Sequence, residues 1–314
     1  MLKLAESLAE HLDNRRSRDP DLWLLDGDLG DSYGLHEDLI RRFGSRFIQA
    51  GIAEQSMVSV AAGLAGLGKR PWVFSFAAFL CSRAHDQIRC GVSQMRLPVT
   101  LVGANAGIDG LKNGNTHVSL IDLSLIGSLP DIDVWSPASE VEVRYAVDTI
   151  MSDGRPAYLR LSKFGVEASS SAGGEILQLI GGSDVLILST GIASRWALDL
   201  AASLQKGSIS ARVVQVIRIK PLPESLGPMI REGYSGIYTL EDHSSIGGFG
   251  DLVAHAYPDL HIRRLGWPQI WLSAEQQTAN VRRKHGLDTE GLAHRILRDL
   301  HSRQRPAVRE SCTN

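Results

Sequence analysis

The chain has 314 residues, of which 43% are hydrophobic and 22% are charged, with a formal net charge of −2. This length allows two domains of about 100–200 residues each, and the composition is that of an ordinary soluble globular protein. The near-neutral charge provides no overall attraction to nucleic acid or to an acidic membrane surface. No segment approaches the roughly 18 unbroken apolar residues that span a membrane. The first residues have the apolar spacing of a short amphipathic helix, which is not that of a signal peptide.

The three cysteines, Cys81, Cys90 and Cys312, include no CxxC pair. No His or Asp lies beside them at the spacing of metal ligands, so we expect no metal site in this chain. Unpaired cysteines in a helical pattern are typical of reduced thiols, which favours a cytoplasmic location.

Short apolar runs alternate with longer helical patterns in the first half of the chain. The predicted strands are 21–26, 71–75, 98–103, 132–135 and 157–161, and the predicted helices are 54–67, 78–95, 118–128 and 138–152. Such alternation is typical of a mostly parallel sheet with helices on both faces. Residues 1–164 are therefore predicted to form one α/β domain.

The second half begins with a segment rich in serine and glycine, residues 165–182, which is predicted to be a linker with at most one short strand. The alternation then restarts, with predicted strands at 184–190, 211–217 and 236–240 and a predicted helix at 193–205. Residues 183–301 are predicted to form a second, smaller α/β domain with a mostly parallel sheet flanked by helices. The polar residues 302–314 are predicted to be disordered.

Glu54 is the first candidate for chemistry. It follows Gly51, Ile52 and Ala53 and precedes a helical pattern rich in alanine and glycine, so it should lie at a helix start. One interpretation is a surface glutamate that gains a few tenths of a kcal/mol from the helix dipole. The other is a buried general acid/base. Position alone does not choose between them.

Seven short motifs follow one another along the chain: DLGDS at 28–32, GIAEQ at 51–55, FSFAAFL at 74–80, DQIR at 86–89, GNTH at 114–117, PAYLRLSK at 156–163 and LEDHSSIGGFG at 240–250. In this order they resemble the transketolase family, from about residue 20 to about residue 295. The resemblance is to the pyrimidine-binding and C-terminal domains, as in the C-terminal subunit of a split transketolase.

The resemblance implies a thiamine diphosphate site between domains of different subunits. The residue matching Glu54 hydrogen-bonds N1′ of the aminopyrimidine and acts as an acid/base. Phe76 matches the aromatic residue that stacks on the pyrimidine ring, Phe79 lies nearby, and Asp28 belongs to the pyrimidine-side segment. Core packing is the alternative for each phenylalanine.

The family binds the diphosphate through Mg²⁺ held by a Gly-Asp-Gly motif and a later Asn, and this chain has no such motif. The resemblance therefore implies a partner subunit that carries the Mg²⁺ ligands. An α2β2 heterotetramer would complete two such sites.

The substrate positions depart from the family's sugar-phosphate pattern. Thr116 and His117 are retained, and His117 would contact a substrate hydroxyl or carry a proton, with a structural histidine as the alternative. Ser32 retains a hydroxyl that contacts phosphate in the family.

At three substrate positions this chain has a residue that differs from the one in the family. Asn105 stands where the family has a phosphate-contacting histidine, Asn113 where it has an aspartate, and Lys163 where it has an arginine. Arg160, three residues before Lys163, is a further substrate-binding candidate. Lysine binds phosphate as a point charge without the bidentate fork of arginine.

Three functions remain in competition. The first is transfer of a two-carbon ketol unit together with a partner subunit. The second is a decarboxylating thiamine enzyme acting on a 2-oxo acid, like a 2-oxo acid dehydrogenase β subunit or a deoxyxylulose-phosphate synthase. The third is a non-catalytic assembly subunit. A dinucleotide site is not expected, because the second domain has no GxGxxG after its first strand. His243 is expected to be structural or to lie near an interface.

Overall fold

The structure is a computed structural model that describes residues 3–30, 37–167, 173–275 and 277–304, without the side chains of 303 and 304. Ser32 and residues 305–314 of the predicted tail lie outside the described residues. The strands are β1 (Leu22–Asp26), β2 (Phe47–Gln49), β3 (Arg70–Phe76), β4 (Thr100–Ala104), β5 (Asp133–Trp135), β6 (Ala157–Arg160), β7 (Ile176–Ile180), β8 (Val185–Ser189), β9 (Ala211–Val216), β10 (Arg218–Lys220), β11 (Gly236–Ser244) and β12 (Ile262–Trp267). The helices are α1 (Leu4–Arg16), α2 (Glu37–Phe43), α3 (Glu54–Gly66), α4 (Ala77–Arg83), α5 (His85–Gln87), α6 (Asp122–Gly127), α7 (Glu140–Asp153), α8 (Ala193–Lys206), α9 (Leu226–Ile230), α10 (Phe249–Ala256), α11 (Thr278–Lys284) and α12 (Thr289–Gln304).

The first sheet has the strand order β10-β5-β6-β4-β3-β1-β2 across the described ranges, and each pair is parallel except β10 with β5. Successive side chains of a strand point to opposite faces. In β3, Val73 accordingly enters one buried cluster while Trp72 and Phe74 enter another on the opposite face. Both faces of the sheet are therefore covered, as predicted for a parallel α/β sheet.

The second sheet has the strand order β12-β11-β8-β9-β7, in which the pairs are parallel except β7 with β9. With this sheet the predicted fold class is confirmed. β7 lies within the segment predicted to be a linker. β10 follows β9 along the chain but joins the first sheet, so the two halves of the chain share a sheet.

Two predicted helices are interrupted. The predicted helix at 78–95 divides into α4, α5 and a π-helical turn at Ile88–Ser93, because Ala84 leaves helical geometry with φ −97° and ψ 18°. The predicted helix at 118–128 begins only at Asp122, because Val118 is extended, with φ −90° and ψ 130°, and Ser119 forms a β-bridge with Gly107. Both interruptions lie beside the candidate site.

Helix α1 confirms the predicted amphipathic helix at the N-terminal end. Leu4, Leu8 and Leu12 are at most 1% exposed and pack in the cluster that also contains Val143 of α7. Within the ranges that the structure describes, no helix is both long and apolar enough to cross a bilayer.

Candidate active site

The candidate site lies at the carboxyl edge of the first sheet. Ser75, Gly103 and Arg160 are in register across β3, β4 and β6, so the loops after these parallel strands meet at one edge. Ligands of open α/β sheets bind outside the carboxyl ends of the strands. The loops at this edge carry most of the residues that the motifs selected.

Glu54 is the first residue of α3 and is 1% exposed. Its Oε1 accepts a hydrogen bond from the Ser75 hydroxyl at 3.2 Å, and its Oε2 accepts one from the Arg83 guanidinium at 2.5 Å. A carboxylate at a helix N-terminus is stabilised by the helix dipole. Glu54 is buried, however, so it is not the surface glutamate of the first interpretation. Burial of a charge is costly unless it is paired, and Arg83 supplies the partner.

Arg83 was not selected by sequence. Its side chain is 44% exposed, so it connects the buried carboxylate of Glu54 to open space. Its Cζ also lies 5.0 Å from the ring centroid of Phe79. The one feature of the sequence that could have identified Arg83 is its position as a single arginine at the end of the apolar run AAFLCSR, residues 77–83.

Two phenylalanines and one histidine form an aromatic cluster beside this ion pair. The ring centroid of Phe79 is 5.1 Å from that of His117 and 5.9 Å from that of Phe76. The Phe76 and His117 centroids are also 5.9 Å apart. Through Arg83 the fold therefore brings Glu54, Phe76, Phe79 and His117 together. Phe76 is 8% exposed and packs in the core, whereas Phe79 is half-buried.

An open cleft of about 960 Å³ lies against this cluster, between the two domains. Phe79, Arg83 and Thr116 line it from the first domain, and Ile246, Ile270 and Trp271 line it from the second. Trp271 is 86% exposed. Cofactor sites are typically clefts of about 300–1,000 Å³ with mostly apolar walls, and an exposed apolar face is typical of an interaction site.

Asp28 lies at the same sheet edge, after β1. It is exposed and has φ 65°, a left-handed conformation that aspartate tolerates better than most residues. Its loop is held by Asp26, a buried carboxylate that accepts hydrogen bonds from the Leu29 backbone and from the Gln49 side chain. Burial raises the pKa of Asp26 above its usual value.

Asn105, Asn113 and Lys163 also lie at this edge, but they are not among the described residues that line the cleft. Asn105 has φ 49° at the end of β4, and Asn113 is exposed in a 3-10 turn. The Lys163 backbone N–H donates to Asp109 at 2.5 Å. Burial, and then the nearby charge of Asp242, raise the pKa of Asp109 to about 7.

Arg160 does not take the substrate-binding position expected from the sequence. Its side chain is 2% exposed, and its Nε donates to Asp122 at 2.7 Å. A second nitrogen donates to the backbone carbonyl of Asp242 at 2.7 Å. Burial opposes ionisation of Asp122, but the charge of Arg160 holds the pKa of that carboxyl below its usual value. The guanidinium is thus enclosed in an ion pair between the domains, which gives Arg160 a structural role.

His243 lies in the same interdomain layer and is fully buried. Its Nδ1 is 2.8 Å from the Ser244 carbonyl oxygen, and its Nε2 is 4.0 Å from Asp122. Burial lowers the pKa of His243 to about 4, so the ring is neutral near pH 7. This placement favours the structural interpretation of His243.

The described residues include no group of three or more His, Cys, Asp or Glu side chains that could hold a metal ion. A buried carboxylate beside aromatic rings is nevertheless suited to one end of a flat, nitrogen-containing ring. The donor set therefore fits an aminopyrimidine, while a metal-bound diphosphate would need ligands from elsewhere.

Two α/β domains thus meet at a cleft that lies beside a helix-terminal glutamate and an aromatic cluster. Residues 1–167 match the transketolase pyrimidine-binding domain, and residues 174–292 match the transketolase C-terminal domain. The chain belongs to the transketolase family, which depends on thiamine diphosphate.

Several relatives are of similar length. Over 239 residues the chain is 34% identical to 6-deoxy-6-sulfo-D-fructose transketolase subunit SqwH of Clostridium sp. (strain MSTE9), covering 72% of this chain and 74% of that protein. A solved structure described as "Split gene transketolase, inactive beta4 tetramer" superposes with a TM-score of 0.84 at 28% identity, covering 96% of this chain and 98% of that one.

A longer relative matches most of the chain. The chain is 35% identical over 285 residues to 1-deoxy-D-xylulose-5-phosphate synthase of Syntrophus aciditrophicus (strain SB). That match covers 86% of this chain but only 43% of the synthase, so the chain spans less than half of that protein.

Proposed function

We propose that this chain is the pyrimidine-binding subunit of a thiamine diphosphate enzyme that transfers a two-carbon ketol unit, and that it acts only with a partner subunit. The buried Glu54 carboxylate, connected through Arg83 to an open cleft, carries the proposal. A fully buried acid at a cleft that is lined by aromatic and apolar side chains is suited to proton transfer with a bound heterocycle.

Each residue of the cluster has a role in this proposal. When bound, thiamine diphosphate supplies carbanion chemistry at its thiazolium ring. Glu54 would hold the proton at N1′ of the aminopyrimidine, and Phe79 with Phe76 would pack against that ring. Because Oε2 of Glu54 is 2.5 Å from Arg83, seating the pyrimidine requires Arg83 to move aside. His117, in contact with Phe79, would hydrogen-bond a substrate hydroxyl.

The substrate proposed is a sugar with an anionic end. Lys163 would attract that anionic group as a point charge. Ser32 and Asn105 would contact the same group, and Asn113 would contact a hydroxyl of the sugar. A transketolase subunit among the relatives is named for 6-deoxy-6-sulfo-D-fructose, so the anionic group proposed includes a sulfonate as well as a phosphate.

The likeness to deoxyxylulose-phosphate synthase supports the second candidate, a decarboxylating reaction on a 2-oxo acid. The assay that separates the two measures carbon dioxide release from pyruvate and ketol transfer from ketose phosphates and sulfonates in parallel. A non-catalytic subunit would support neither reaction in complex with its partner.

The partner proposed is an N-terminal transketolase-type subunit carrying the Gly-Asp-Gly…Asn motif, in an α2β2 assembly. A related structure of a split transketolase is described as an inactive tetramer of one subunit type. Because the described residues hold no metal-ligand group, the Mg²⁺–diphosphate contacts would come from that partner.

The isolated chain is therefore expected to bind thiamine diphosphate weakly and to have no activity. Calorimetric titration of the chain with cofactor and Mg²⁺ measures this, and the same titration of the reconstituted complex should show tight, Mg²⁺-dependent binding. Stoichiometric tight binding by the isolated chain would contradict the split site.

A further inference from the structure

We propose that the second domain positions the candidate catalytic histidine, and that Asp242 is the positioning residue. Residues 105–119, here called the His117 loop, carry His117 and belong to the first domain by sequence. Asp242 lies in β11 of the second domain and contacts the beginning of this loop. The inference rests on the proposed function, because the role of His117 belongs to that proposal.

The Asp242 carboxylate connects the two domains through its two oxygens. Its Oδ1 accepts a hydrogen bond from the indole N–H of Trp267, in β12, at 2.7 Å. Its Oδ2 accepts one from the backbone N–H of Ile108, in the His117 loop, at 3.3 Å. The side chain is 2% exposed, so water cannot replace either partner. Trp267 of the second domain thus fixes Oδ1, while Oδ2 holds the His117 loop.

The loop approaches Asp242 so closely that only glycine fits. Gly107 has φ +66°, and a Cβ there would lie 1.8 Å from Oδ2 of Asp242. Three residues later, a Cβ on Gly110 would lie 2.2 Å from the carbonyl oxygen of His117. The turn that Asp242 holds is therefore packed directly on the backbone of His117, and a shift at Ile108 would be transmitted to the histidine.

The apolar side chains of the His117 loop pack in the core of the second domain. Ile108 and Leu111 pack in the buried cluster that contains Trp267 and Leu272. Near the other end of the loop, the side-chain oxygen of Asn115 accepts a hydrogen bond from the Leu272 backbone at 3.1 Å. Both ends are therefore anchored on the second domain, and Asp242 provides the buried charged contact.

The test compares Asp242→Asn with Glu241→Gln, a matched change at the neighbouring buried carboxylate of β11. Glu241 accepts hydrogen bonds from the backbones of Phe249 and Gly250, both within the second domain. Trp267 and Ile108 donate to different oxygens of Asp242. An asparagine replaces one of these oxygens with an NH2 group, which is a donor, so one of the two hydrogen bonds is lost. Trp267→Phe is a second variant that frees Oδ1 and loosens the carboxylate by another route.

The first measurement is amide hydrogen exchange of the chain itself, which does not depend on activity. Asp242→Asn and Trp267→Phe are expected to accelerate exchange at Ile108 and along the His117 loop by about tenfold or more, whereas Glu241→Gln should accelerate exchange only at the start of α10. Unchanged exchange across the His117 loop in both Asp242→Asn and Trp267→Phe would overturn the proposal.

The second measurement is steady-state kinetics of the reconstituted complex. Asp242→Asn should lower kcat by about 10- to 100-fold, the effect of misplacing a reacting group by about 1 Å, with cofactor affinity unchanged. In a His117→Ala background the same change should lower kcat no further, because it acts through His117. Equal losses in both backgrounds would overturn the positioning role. If the wild-type complex transfers no ketol unit, the proposed function fails, and hydrogen exchange still decides whether Asp242 holds the loop.

Discussion

Glu54→Gln is expected to lower turnover of the reconstituted complex by about 10²–10⁴-fold, the effect of losing a general acid/base. Glutamine keeps the size of the side chain and an acceptor for the Ser75 hydroxyl, but an amide cannot supply the proton at N1′ of the aminopyrimidine. The fold should survive, because α3 keeps its first residue and the surrounding core is unchanged. The direct measurement is NMR exchange of the C2 proton of bound cofactor in the complex.

Glu140→Gln is the matched control for this prediction. Glu140 is the first residue of α7, as Glu54 is of α3, but its side chain is 50% exposed and pairs with Arg144 at 3.5 Å. Glu140→Gln loses a helix-dipole contact, worth about 0.3–1 kcal/mol, and an exposed i,i+4 ion pair, worth about 0.3–0.5 kcal/mol. Turnover should therefore stay at the wild-type level. If C2-proton exchange in Glu54→Gln equals that of the wild type, Glu54 has no part in the mechanism.

Arg160→Met is expected to lower the free energy of unfolding by about 3–5 kcal/mol, because it leaves the Asp122 carboxylate buried without its cation. After the change, the Tyr158 hydroxyl, which donates to Asp122 at 2.7 Å, would be its main remaining polar contact. The contact of Arg160 with the Asp242 carbonyl across the domain interface would also be lost. Urea unfolding of the isolated chain measures the difference.

Arg144→Met is the control, since its ion pair with Glu140 is exposed and such pairs contribute about 0.3–0.5 kcal/mol. The double variant Asp122→Leu with Arg160→Met should recover part of the loss, because it removes both buried charges. If Arg160→Met lowers the free energy of unfolding no more than Arg144→Met does, the buried ion pair contributes little to stability.

The pH dependence gives a further check on this pair. The folded pKa of Asp122 lies below its ordinary value of 3.8, so the stability from the pair is fully present above that pH. As the pH falls through the folded pKa, Asp122 takes up a proton and the contribution is lost. The difference in stability between the wild type and Arg160→Met should therefore narrow in acid.

The periodicity of the chain was sufficient to predict both α/β domains, the amphipathic α1 and the position of Glu54 at a helix start. These features depend on neighbours along the chain, where a period of 2 or 3.6 residues directly sets which side chains face the core. Phe76, Phe79 and His117 were selected through the resemblance of the motifs to the transketolase family. They lie close together in the structure, because the loops after parallel strands collect at one sheet edge.

Other features depend on contacts between residues far apart in the chain. Arg160 has the charge and strand position of a substrate-binding residue, but Asp122, 38 residues away, encloses it. Arg83 gains its importance from Glu54, 29 residues away, and Asp242 reaches Ile108 across 134 residues. The short β10 joins the first sheet only because β5 presents a free edge to it. Local periodicity records whether a side chain is buried but not which partner it meets, and for a buried charge that partner determines whether the residue supports the fold or faces a ligand.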